Sequence, residues 1–183
     1  MENLTENVIG LELLSKLENS NIEIKNIKNL LVIHRTLWAL EDKARSKMAN
    51  DSEIANIKRE IDKQNGKRHK QIDLIDSTLD YSFNESSTVV AHNETIGEIV
   101  DRILIMSLKI DSCRGMSTDL DIQAQKRNPL TAKLSHLESW NNHLLTCLSN
   151  LLDDIKQKKA ILPPRVDSKF YNDPIFNPVT RNE

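Results

Sequence analysis

Apolar residues recur at steps of three and four through most of the chain, the period of an α-helix that turns one face to a core. Five helical stretches follow from that pattern. Residues 5–18 carry Val8, Ile9, Leu11, Leu14 and Leu17, a short helix within the N-terminal segment 1–20. Residues 23–47 place Leu30, Ile33, Leu37, Leu40 and Ala44 on a core-facing seam. Residues 52–80 repeat the pattern at Ile54, Ile57 and Ile61, then at Ile72, Ile75 and Leu79. Between these two halves the stripe is occupied by Asn65 and Arg68. A guanidinium on a core-facing stripe is unfavourable unless it is paired and hydrogen-bonded, so Arg68 demands a partner residue or a ligand.

The helix expected over 95–112 is apolar on nearly every side, which predicts the central, most buried element. Thr95 and Glu98 have the spacing of a capping box at its start. Asp51 or Ser52 is the expected N-cap of the third helix. Asn128-Pro129 predicts the start of the last helix, 129–160, with Asn141 interrupting its Leu-rich seam. Residues 82–93 read as a loop. After Pro163-Pro164 the chain is expected to run extended over 163–183, where Phe170, Tyr171 and Phe176 supply three of the seven aromatic residues. That concentration predicts a tail docked on its own bundle, with docking on a second subunit as the alternative. The expected fold is therefore all-α: one antiparallel helical bundle of four to five helices, residues 1–183, built on a long hairpin over 23–80.

Composition narrows the function less than the fold. Twenty-five Lys and Arg against 27 Asp and Glu give a formal charge of −2, which makes nucleic acid an unexpected partner. No apolar run reaches the roughly 18 residues that span a bilayer, and residues 1–10 lack a secretion signal, so the expected location is cytoplasmic. Cys113 and Cys147 fit a reducing compartment better than a disulfide framework. The four glycines stand at 10, 66, 97 and 115, too far apart for a Walker loop or a dinucleotide fingerprint, and no HExxH motif is present.

With a short turn near residues 49 to 50, residue i of the second helix faces roughly residue 99 − i of the third. This register sets Glu41 against Lys58, His34 against Asn65 and Leu31 against Arg68. It predicts one interhelical network of His34, Glu41, Arg45, Lys58, Asn65 and Arg68, reached by Glu98 or Asp101, with Trp38 beside it and Arg102 on the neighbouring charged stripe. Three uses of these residues stay open. In a non-catalytic binding protein, Arg68, Arg45 and Lys58 hold a phosphate or carboxylate against Trp38, without a cofactor. In a Mg²⁺-dependent all-α nucleotide pyrophosphohydrolase, Glu94, Glu98 and Asp101 ligate the metal. In a purely structural bundle, the network specifies only helix pairing or dimerisation.

Four blocks, IHRTLWALEDKAR, IANIKREIDKQNGKRHKQIDLID, ETIGEIVDRILIMSLKI and KFYNDPIFNP, resemble in order the bacterial family called domain of unknown function 4254. The match includes His34, Trp38, Glu41, Arg45, Lys58, Asn65, Arg68, Glu98, Asp101 and Arg102; the chain departs at Gly66, where the family often has Gln, and at His69, where it often has Asn or Asp. The resemblance implies a small helical protein. Some members occur near genes for surface-glycan synthesis, which would suit a sugar-nucleotide-like or glycosyl-phosphate ligand.

Overall fold

The computed structural model describes residues 8–18, 20–79, 82, 88–118, 124–162 and 175. Among them are α1 (Val8–Leu17), α2 (Ile24–Ala44), α3 (Asp51–Asp76), β1 (Val90–Ala91), α4 (Ile96–Thr118), α5 (Ala124–Lys156) and β2 (Ala160–Ile161). The fold is largely all-α, as the periodicity predicts. Helices α2 and α3 pack along each other as one hairpin and α4 and α5 as another, while α1 lies against α4 and α5. Residues Phe170, Tyr171 and Phe176, and so the expected docking of the tail, lie outside the described residues.

Local chemistry sets the element ends, and several differ from the sequence expectation. Helix α3 is capped by Asn50 and not by Asp51 or Ser52. The Asn50 side chain accepts from the Glu53 N–H at 3.0 Å, and Glu53 accepts in return from the Asn50 N–H at 2.9 Å. Helix α5 begins at Ala124, five residues ahead of Pro129, which sits inside the helix. Pro129 lacks the N–H that would bond the carbonyl of residue 125 and its ring crowds that carbonyl, a cost confined to one bond in the second turn of a 33-residue helix. Helix α4 runs on to Thr118, six residues past the expected end. The stretch expected as loop over 82–93 contains β1, which pairs in parallel with β2. Two residues per strand are too short to leave a periodic signal.

Helix α4 is the central element that its apolar surround predicts. Ile96, Val100, Ile103, Leu104 and Ile110 are all at most 1% exposed. They meet Leu13 and Leu17 of α1, Ile27, Leu30 and Leu31 of α2, Ile72 and Ile75 of α3, and Leu144, Leu148 and Leu151 of α5 in one core. That core stops short of the distal half of the first hairpin, because no residue between Leu31 and Ile72 belongs to it. Ile33, Leu37, Leu40 and Ala44, expected as a core-facing seam, are only half-buried. Ile61 is buried, yet outside the core. The distal part of α2 and α3 is thus a two-helix arm held away from the bundle, covered chiefly by its own partner helix.

Candidate functional site

The stripe position that singled out Arg68 is explained where the arm leaves the bundle. Asp101, on the second turn of α4, is 3% exposed and accepts from Arg68 through both carboxylate oxygens: Nε to Oδ1 at 2.7 Å and Nη2 to Oδ2 at 2.5 Å. His34 of α2, itself 4% exposed, lies 2.8 Å from Oδ1 through Nε2. An ionised carboxylate only accepts, so His34 Nε2 carries the proton it shares with Asp101. Burial alone would raise the Asp101 pKa; the hydrogen bonds and charges of Arg68 and His34 outweigh it and hold the group below the ordinary carboxylate value. The bond to Asp101 likewise raises the Arg68 pKa against the opposing effect of burial. Three helices are therefore braced through one carboxylate.

The brace takes only part of the network expected from the hairpin register. His34 and Arg68 meet, but through Asp101 and not across the hairpin. Glu41 pairs with Arg45 one turn along its own helix at 2.9 Å, and Lys58 pairs with Asp62 in the same way at 2.9 Å. These side chains are 46% to 68% exposed, where an intrahelical partner at i+4 is closer than one on the facing helix. Asn65 is half-buried and makes no side-chain hydrogen bond to the described residues. Trp38 is 37% exposed. Arg102 pairs with Glu94 at 2.6 Å on the surface.

The three carboxylates considered as metal ligands are each engaged elsewhere. Glu94 holds Arg102. Glu98 accepts from the Thr95 N–H at 2.8 Å while its own N–H donates to Thr95 Oγ1 at 3.2 Å, completing the capping box. Asp101 is filled by Arg68 and His34. Among the described residues no three His, Cys, Asp or Glu side chains converge as a metal site.

Asp76, not among the site residues expected from sequence, is 1% exposed at the last position of α3. Its Oδ1 accepts from the Gly97 N–H at 2.7 Å and its Oδ2 from Thr95 Oγ1 at 2.7 Å. A carboxylate from one helix thus caps the positive end of the next. The signal was present: Asp76 stands four residues after Ile72 on the apolar stripe, as conspicuous there as Arg68. A further cluster joins the strand pair to α5. Asp154 receives His92 Nε2 at 2.8 Å and Lys159 at 3.0 Å, and those two groups lower its pKa against the raising effect of its own desolvation.

Arg68 and Asp101 cancel in charge, and the neighbouring pairs on the arm cancel as well, so the brace has no net positive field for a phosphate. One donor is left over. Arg68 is 27% exposed, and its Nη1 donates to none of the described residues. Ile33 is half-buried beside the brace, and tipward of it lie the half-buried Leu37, Leu40 and Ile57, with Ile54 38% and Met48 91% exposed. A groove of about 490 Å³ at the tip is lined by Lys43, Met48, Ala49, Glu53, Asn56 and Ile57.

No helix of the described residues is long and apolar enough to cross a membrane. No curated protein and no solved structure matches the chain. A family model described as protein of unknown function, DUF4254, matches residues 25–163, covering the arm, the brace and both strands but not the aromatic tail block. By that match, over most of its length, the chain belongs to the DUF4254 family.

Proposed function

We propose that this chain is a non-catalytic binding protein whose binding face is the α2–α3 arm and whose occupant is a protein segment bearing apolar and aromatic side chains. One observation carries the reading: an apolar stripe of helical period continues along the arm beyond the core, half-buried, with Trp38, Met48 and Ile54 open to solvent. A two-helix unit leaves part of its apolar surface uncovered, and grooves between helices are common seats for apolar anchors from a partner. The His34–Asp101–Arg68 brace has a positioning role in this account, fixing the arm to α4. Its acid and base groups are engaged with one another and sit 3% to 4% exposed in the case of Asp101 and His34.

Selection of displayed peptides against the full chain, with counter-selection against Trp38→Ser/Ile54→Ser, tests the reading. Trp38 is 37% and Ile54 38% exposed, and circular dichroism of the double variant checks that the fold is kept. Enrichment of aromatic and apolar peptides that bind the parent and not the double variant is the expected result. Failure to enrich any peptide that discriminates the two contradicts it.

The leftover Nη1 of Arg68 favours a second reading, in which a single phosphate or carboxylate docks at the arm base beside Asn65. There, inorganic phosphate or a panel of nucleotides and nucleotide-sugars raises the melting temperature, and Arg68→Ala removes the effect. The Mg²⁺-dependent hydrolase reading has no geometric support of this kind. Saturable heat from Mg²⁺ or Mn²⁺ titrated with a nucleotide, lost in Asp101→Asn, would restore it.

A further inference from the structure

We infer that the occupant of the arm is a second copy of this chain, two α2–α3 arms lying antiparallel and face to face as a four-helix bundle. The inference rests on the reading of the arm as a binding face and names its partner. Three features of the arm meet in it, and the first is direction. Trp38 follows Leu31 by seven residues and His34 by four, so at about 100° per residue it projects on the side of α2 that meets α4 at the base. On α3, Ile54, Ile61 and Asn65 share an arc of about 60° with Arg68 and Ile72. The face that the core covers at Leu31 and Ile72 therefore continues up the arm past the end of that core. There Trp38 is 37% and Ile54 38% exposed.

The second feature is self-complementarity. The body of each copy stands on this same side at the arm base, where Asp101 of α4 takes Arg68 and His34, so a second arm fits only in the reversed direction, tip against base. The charges on the face cancel in pairs, Glu41 with Arg45 and Lys58 with Asp62, each at 2.9 Å, and two copies are not held apart. Trp38 lies near the middle of the arm, between the brace at His34 and the end of α2 at Ala44. A two-fold axis through that middle brings it against Trp38 of the second copy, and aromatic side chains at an interface centre are the strongest anchors. The same reversal sets the donors left at the base, Arg68 Nη1 and the half-buried Asn65, against the tip of the other arm. That tip offers acceptors in the exposed Asp51 and in the last carbonyls of α2, which have no partner further along their own helix. Because a two-fold repeats every contact, both bases and both tips are served at once.

The third feature is size. From Arg68 to Asp51 the arm is about 26 Å long, and two packed helices are about 20 Å across. One face thus presents about 500 Å², and two facing arms bury about 1,000 Å², the lower bound for a specific interface. An arm of this area gives a reversible dimer with a Kd of about 10–100 µM and not an obligate one.

Sedimentation velocity on the full chain from about 1 µM to about 500 µM tests the association. The sedimentation coefficient is expected to rise with concentration to that of a dimer, with association about tenfold or more weaker in Trp38→Ser/Ile54→Ser. Direction is tested with p-benzoylphenylalanine at position 48, where the side chain is 91% exposed at the tip. Light and isotopically heavy copies are mixed and irradiated, and adducts that join two copies are expected to map to residues 61–72, near the arm base. A monomer at every concentration, a dimer indifferent to the arm substitutions, or adducts only within one molecule or only tip to tip overturn the inference. If a monomeric chain still yields peptides that discriminate the arm variant, the arm remains a binding face and only the second copy as its occupant has failed.

Discussion

Replacing Asp101 by Asn keeps the side-chain shape and removes one charge, which isolates what the brace contributes. Three donors converge on the carboxylate, at 2.5, 2.7 and 2.8 Å. An amide in the same place has one acceptor oxygen, and its NH₂ must face either Arg68 or His34, both donors. Hydrogen bonds to charged groups contribute about 1.5–3 kcal/mol each, and breaking a buried ion pair costs about 3–5 kcal/mol. Because the Arg68 side chain is 27% exposed, water recovers part of that loss, and the expected destabilisation is about 2–4 kcal/mol. For a chain of this size that lowers the melting temperature by roughly 4–15 °C. Urea unfolding with an unchanged slope would give the free energy. Arg68→Met alone and combined with Asp101→Asn completes a double-mutant cycle, with a coupling above about 1.5 kcal/mol expected. The acid limb gives an independent check. A carboxylate whose folded pKa is depressed contributes fully above its unfolded value of about 3.9 and loses that contribution as the pH falls through the folded one. Asp101→Asn should therefore flatten stability against pH below about 4. Additive single changes, or a loss under about 1 kcal/mol for Asp101→Asn, would refute the brace.

Gly97→Ala places a Cβ 2.8 Å from the Ile72 carbonyl oxygen and 2.9 Å from Asp76 Oδ2, so α3 and α4 must part, and urea unfolding should show a loss of about 1–3 kcal/mol. Asn141 is 1% exposed with an unpartnered Oδ1; Asn141→Leu should raise stability by about 1 kcal/mol, read as a higher melting temperature. Gly66 has nothing within 4 Å of a built Cβ and sits inside α3, so Gly66→Ala should add about 0.5–1 kcal/mol in the same assay. Lys158 has φ 55°, and Lys158→Gly should relieve about 1 kcal/mol of backbone strain after α5, again as a rise in melting temperature.

Those residues also show how much of the molecule was legible. The helices were written in periodicity, and the capping box at Thr95 and Glu98 in spacing, because both are local. Arg68 announced a brace by standing on an apolar stripe, and Asp101 was already among the residues expected to reach it. What sequence could not supply was the angle at which α4 crosses the hairpin. That angle decides that His34 and Arg68 share one carboxylate while Glu41 and Lys58 are left to partners on their own helices. The same crossing ends the core at Leu31 and Ile72, so Leu37 and Leu40 have the pattern of core residues without the cover. Two-residue strands and a proline inside α5 are beyond any periodic signal. The family match adds membership and leaves chemistry to be argued from the brace and the arm.

Nitrogen-15 NMR of the Arg68 Nε–H and His34 Nε2–H groups tests most directly whether the brace is closed on itself. Two slowly exchanging protons are expected that both shift or vanish in Asp101→Asn and stay unmoved by millimolar phosphate or nucleotide. Resonances that move with the added anion while surviving Asp101→Asn would contradict a closed brace, and would make Arg68 a ligand-binding residue.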